Sequence, residues 1–134
     1  MSGLLLGVLV LGIVGTTADL LLLAHYEDTA QLIPLGLLAV ALLIVAWHTM
    51  RPGGRSRRAL QMTMGLFVVA GIAGVGLHFA GSAEFQREID PSLGWRQMAL
   101  KAVRAKAPPT LAPGAMIMLG LVGLIYTLNP RTES

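Results

Sequence analysis

The sequence predicts an all-α membrane protein, a bundle of four transmembrane helices with a helical extracytoplasmic loop between helices 3 and 4. Two observations predict this class. Of the 134 residues, 54% are hydrophobic and only 13% are charged, a composition too apolar for a soluble domain of this size. Four long apolar runs also alternate with polar segments, and each can cross a ~30 Å hydrocarbon core at about 1.5 Å per residue.

The four runs belong to one integral membrane domain that covers residues 1–134. The first two are joined by a connection so short that they must pack antiparallel. Pro34 lies near the start of the second run, where the missing N–H of proline is tolerated. The predicted spans are residues 3–25, 31–50, 59–80 and 112–129.

The third and fourth spans are connected by a loop with helical segments, residues 82–110. Ser82 is a favourable N-cap for a first short helix. Asp90–Pro91 then predicts the start of a second helix, because aspartate is a preferred N-cap and proline fits the first helical position. Pro108–Pro109 should end it. The basic residues between these points predict a segment that rests over the outer end of the bundle, with Trp95 at the membrane interface.

The turn between the second and third spans is rich in arginine: Arg51, Arg55, Arg57 and Arg58 lie there. This density next to two spans predicts a cytoplasmic turn and cytoplasmic termini, in a multi-pass protein of a bacterial-type inner membrane. We expect these arginines to contact lipid headgroups. Nucleic acid is not an expected partner, because no aromatic residue is interleaved with the positive charges.

Two spans carry the same pattern of two glycines and one ionisable residue on one helix face, spaced i, i+3 and i+7. The two patterns are Gly12, Gly15, Asp19 and Gly71, Gly74, His78. Asp19 needs a partner, because a carboxylate inside an apolar span costs roughly 2.5–3.5 kcal/mol on insertion scales. The first and third spans run in the same direction and bring both ionisable residues to a similar depth. We therefore predict a structural polar pair of Asp19 with His78, with the glycine stripes facing each other.

The sequence favours a protein that is not an enzyme. It has no cysteine, which excludes thiolate metal sites and cysteine nucleophiles, and no Ser/His/Asp or Gly-x-Ser-x-Gly arrangement is visible. The glycine faces of several spans exceed what one small bundle needs. We therefore expect a non-catalytic accessory or assembly subunit of a larger membrane complex, whose partners are membrane lipids and other integral membrane subunits.

The alternative is a cofactor-binding protein that serves in electron transfer or light harvesting. His78 and possibly His25 would then bind a haem, a metal ion or a chlorophyll-type pigment, since imidazole is a common ligand for such groups. The two histidines lie on different spans, without a His-x-x-x-His signature. The main expectation therefore includes no cofactor, and the alternative stays open.

Overall fold

The computed structural model describes residues 2–24, 27, 29–104 and 111–129, and these residues form five α-helices and no strand. The helices are α1 (Ser2–Leu22), α2 (Thr29–Met50), α3 (Gly54–Ile89), α4 (Trp95–Val103) and α5 (Leu111–Leu128). All but α4 are long and apolar enough to cross a membrane. The all-helical class and the four candidate spans are therefore confirmed.

Helix α3 extends beyond the predicted third span at both ends. It contains 36 residues, which correspond to about 54 Å at 1.5 Å per residue and exceed the ~30 Å hydrocarbon core. Ser82 lies inside this continuous helix, so the prediction that it caps a new helix is wrong. Alanine, glutamate, glutamine and arginine around it are strong helix formers, and they carry α3 past Gly81 and Ser82 without a break.

Asp90 ends α3 instead of starting the next helix. Its backbone N–H donates to the carbonyl oxygen of Gln86 at 3.0 Å, and its carboxylate accepts hydrogen bonds from the hydroxyl (2.6 Å) and the backbone N–H (3.1 Å) of Ser92. These two bonds lower the pKa of Asp90 below its ordinary value. The predicted helix start at Asp90–Pro91 is therefore wrong, because the aspartate side chain closes a turn.

Helix α4 begins after Gly94 and folds back along the outer part of α3. Ala83 on α3 and Ala102 on α4 are both buried, and small side chains of this kind let two helices approach closely. We call residues 82–104 the outer hairpin. Its tip carries Trp95, which is 73% exposed. The expected stop at Pro108–Pro109 lies outside the described residues.

Helices α3 and α5 form the most extensive contact between the described helices. An ideal Cβ added to Gly120 would lie 2.7 Å from the carbonyl oxygen of Met64, and one added to Gly71 would lie 2.6 Å from that of Pro113. Backbones can approach this closely only where a helix lacks side chains. Helix α1 packs against α5 and α2, and α2 also packs against α3. The shared core includes Leu9, Ile13, Leu38, Leu60, Met64, Phe67, Met116 and Leu119.

The glycine stripes of α1 and α3 do not face each other. A Cβ on Gly12 would meet Leu119 of α5, and one on Gly74 would meet Pro113 of α5 at 3.1 Å, whereas Gly15 has no atom within 4 Å of the added Cβ. The predicted contact between the two stripes is therefore wrong, because α5 packs against both helices.

The close contact of α3 with α5 leads to a stability prediction. Gly120→Ala should lower the free energy of unfolding by about 1–3 kcal/mol, since the new methyl group meets a backbone oxygen that cannot move aside. Gly114→Ala on the same helix is the control, because its added Cβ meets nothing within 4 Å. It should be neutral or stabilising by up to about 1 kcal/mol. Denaturation of both variants in mixed micelles measures the difference, and equal stabilities would contradict the described packing.

Candidate functional site

A pocket of about 580 Å³ opens where four helices meet, beside the last turns of α1 and the first turns of α2 and α5. One wall is the face of α3 from Ala70 to Phe85, a distance of about 22 Å along the helix. The pocket exists because α3 continues where its neighbours end. Gly74 lies against Pro113, near the start of α5, whereas α3 continues from this level to Ile89.

The pocket is mostly apolar. Leucine, isoleucine, methionine, alanine and glycine supply most of the wall, and Phe85 adds an aromatic ring. The polar side chains that line it are those of Gln31, His78 and Ser82. The side-chain oxygen of Gln31 accepts a hydrogen bond from the backbone N–H of Glu27 at 3.1 Å. Among the described residues of the lining, none is aspartate, glutamate, lysine or arginine.

The residues predicted from the sequence have different outcomes. His78 lines the pocket and is exposed, whereas His25 lies outside the described residues. Asp19 is exposed and is not among the described lining residues, and its pairing with His78 stays a prediction. Within the described parts of the chain, no group of three or more His, Cys, Asp or Glu side chains could hold a metal ion.

A second polar cluster, which the sequence did not reveal, lies at the opposite ends of the spans. His48 is only 8% exposed, and its Nδ1 lies 2.9 Å from Oγ of Ser56. The Ser56 hydroxyl can donate to the carbonyl of Gly53 at 3.0 Å, which leaves its oxygen able to accept a hydrogen bond from the Nδ1–H of His48. The imidazole also meets Tyr126 edge to face, with 6.0 Å between ring centroids. The sequence feature that could have revealed this contact is the tight turn between α2 and α3, which brings Ser56 back beside His48.

Arg57 belongs to the same end of the molecule and connects α3 to α5. Its Nε donates to the carbonyl oxygen of Thr127 at 2.7 Å, in the last turn of α5, where carbonyl groups lack helical partners. A guanidinium at this position also complements the negative end of the helix dipole. Arg57 is therefore half-buried in a contact within the protein, whereas Arg51, Arg55 and Arg58 are exposed.

Comparison of the chain with models of protein families, with curated proteins and with solved structures finds no match.

The pairing of Asp19 with His78 can be measured with a double-mutant cycle. If the two side chains interact, Asp19→Ala should destabilise the protein more than the double variant with His78→Ala, because a lone polar group in an apolar setting costs more than a missing pair. We expect a coupling free energy of about 1 kcal/mol. Additive effects in mixed-micelle denaturation would contradict the pair.

Proposed function

We propose that this protein is a small, non-catalytic membrane subunit that docks onto a larger membrane complex through the tip of its outer hairpin. The observation that supports this proposal is the exposure of two large apolar side chains at the tip. Trp95 is 73% exposed and Ile89 is 64% exposed. Ile89 is the last residue of α3 and Trp95 is the first residue of α4, so both lie at the turn between the two helices.

In this proposal the four long helices cross an inner membrane of bacterial type as a bundle, and the outer hairpin is extracytoplasmic. The arginine-rich turn lies at the opposite end of α3 from the hairpin, and the positive-inside rule places such a turn and both termini in the cytoplasm. From Leu77 to Ile89 the helix rises about 18 Å. This stretch carries Glu84, Arg87 and Glu88, whose charges favour water over lipid.

An exposed tryptophan at the tip of a hairpin is a good candidate for an anchor at a protein interface. Tryptophan and arginine are the residues that most often dominate binding energy, and the guanidinium of Arg96 lies 5.7 Å from the ring centroid of Trp95. The side chain of Ile89 adds apolar surface near the same turn. A partner that covers the tip would remove both apolar side chains from water.

Membrane lipids complete the set of proposed partners. Arg51, Arg55 and Arg58 are exposed around the start of α3, where basic side chains attract anionic headgroups. Because an interaction with anionic headgroups accounts for these positive charges, the proposal includes no nucleic acid as a partner.

The second candidate function is binding of a haem, a metal ion or a chlorophyll-type pigment for electron transfer or light harvesting. The position of His78 on the wall of an apolar pocket supports it, because an imidazole beside an apolar cavity is a common setting for such groups. Protein purified in mild detergent from its own host would then show an absorption band or bound metal. A colourless and metal-free preparation would contradict this candidate.

The docking proposal predicts that the protein joins a larger complex only when the apolar side chains of the hairpin tip are present. In membranes of the native host, solubilised in mild detergent, the tagged full-length chain should migrate in native electrophoresis as part of a larger complex. The double variant Ile89→Ser, Trp95→Ser should migrate as the free subunit, because it lacks both apolar contacts.

The matched control replaces two exposed polar residues of the same hairpin, Glu88→Ser and Gln97→Ser. It should leave the size of the complex unchanged, which separates loss of the apolar tip from general damage to the hairpin. A wild-type chain that migrates alone, or a tip variant that stays in the complex, would contradict the proposal.

A further inference from the structure

We infer that the pocket beside His78 binds an uncharged lipid of the quinone class, whose flat head bears carbonyl oxygens and whose chain extends into the bilayer. This inference does not depend on the docking proposal. The shape of the pocket, its lack of charge and its hydrogen-bond donors each point to such a ligand.

The size and shape of the pocket suit a head with the first part of an apolar chain. Its volume of about 580 Å³ falls within the roughly 300–1,000 Å³ of small-molecule sites. It follows α3 from Ala70 to Phe85, or about 22 Å, so the space is long and narrow. The long helices that line it are apolar enough to cross a membrane, so in a bilayer a longer chain would extend from the pocket into lipid.

Small residues make the α3 wall accessible to a flat group. Ala70, Gly74 and Gly81 line the pocket, and a Cβ added to Gly81 would have no atom within 4 Å. A planar ring can therefore lie close to the helix backbone at this level. The ring of Phe85, one turn beyond Gly81 on the same wall, offers an aromatic surface against which such a head can stack.

The lack of charge in the lining selects against ionised heads. No lysine, arginine, aspartate or glutamate occurs among its described residues. A phosphate or carboxylate would therefore enter an apolar setting with no lysine or arginine among the described lining residues, which is costly. A neutral head does not meet this cost.

The polar groups of the pocket favour a ligand that accepts hydrogen bonds. Among the described residues, the Ser82 hydroxyl has no hydrogen-bond partner, whereas the hydroxyls of Thr17 and Thr63 donate to carbonyls of their own helices. The side-chain oxygen of Gln31 is already used by Glu27, which leaves its amide N–H groups as donors. Carbonyl oxygens are the acceptors that complement these donors.

The test uses the full-length protein in phosphatidylcholine nanodiscs and a decyl-tailed benzoquinone that carries a diazirine on its tail. After irradiation, mass spectrometry of the intact protein and its peptides measures how much label is attached and where. We expect saturable labelling at the pocket that unlabelled decyl-benzoquinone displaces. A probe with the same tail and a phosphocholine head should give only weak labelling that the quinone does not displace.

Variants of two glycines on α3 provide matched tests. Gly81→Phe should lower the quinone labelling about ten-fold or more, because the ring fills the pocket. Gly76→Phe should leave the labelling unchanged, since Gly76 is also exposed with open space beside it but is not among the lining residues.

Ser82→Ala should lower the quinone labelling about five-fold through loss of one hydrogen bond. Circular dichroism and size-exclusion chromatography check that each variant is folded. If Gly81→Phe does not fold, the labelling of Ser82→Ala alone tests whether the quinone binds in the pocket.

Three results would overturn the inference. Equal and displaceable labelling by the phosphocholine probe would show that the groove holds bulk lipid without selection. Wild-type labelling of folded Gly81→Phe or of Ser82→Ala would place the quinone elsewhere. A chromophore that copurifies with the protein in this pocket would show that the pocket binds a haem or pigment, as in the second candidate function. None of these results depends on whether the hairpin tip binds a partner.

Discussion

The close approach of α3 to α5 is the interaction on which the rest of the structure depends. Gly71 and Gly120 allow backbone atoms of the two helices to approach to distances that any side chain would prevent. In lipid, helices gain little from the hydrophobic effect, so close packing of this kind supplies much of the association energy. Helix α1 then packs on α5, and α2 closes the arrangement against α3 and α1.

This contact also explains where the pocket and the hairpin lie. Pro113, near the start of α5, is held against Gly74, so α5 supports α3 only up to this level. Beyond it, His78 and Ser82 of α3 line the pocket, and α4 packs against α3. The length of α3 thus produces both features proposed to have functions, the pocket beside the spans and the exposed tip at Trp95.

Hydrophobicity alone was sufficient to predict the helical class and the four candidate spans, because each run is long, apolar and bounded by polar residues. Local turn chemistry was less reliable. Ser82 and Asp90 both fit the rules for N-caps, but the strong helix formers around Ser82 continued α3, and Asp90 instead accepted the hydrogen bonds of Ser92. A capping residue is compatible with several structures, and the neighbouring residues decide among them.

The candidate site was only partly visible in the sequence for a similar reason. The spacing of Gly71, Gly74 and His78 correctly indicated a helix face without bulk, but spacing within one helix does not identify the helix that packs against it. The buried contact of His48 with Ser56 was missed because both residues lie next to a polar turn, where solvated side chains are the usual outcome.

Disulfide formation tests the central contact most directly, because the chain has no cysteine of its own. The ideal Cβ of Gly74 lies 3.1 Å from Cβ of Pro113, so a separation of a few tenths of an ångström more brings the two atoms into the roughly 3.5–4.5 Å range of a disulfide. With an oxidant in native membranes, the pair Gly74→Cys, Pro113→Cys should cross-link rapidly, and the pair Gly15→Cys, Gly74→Cys should not. Rapid cross-linking of the second pair without the first would show that α1, and not α5, packs against the glycine face of α3.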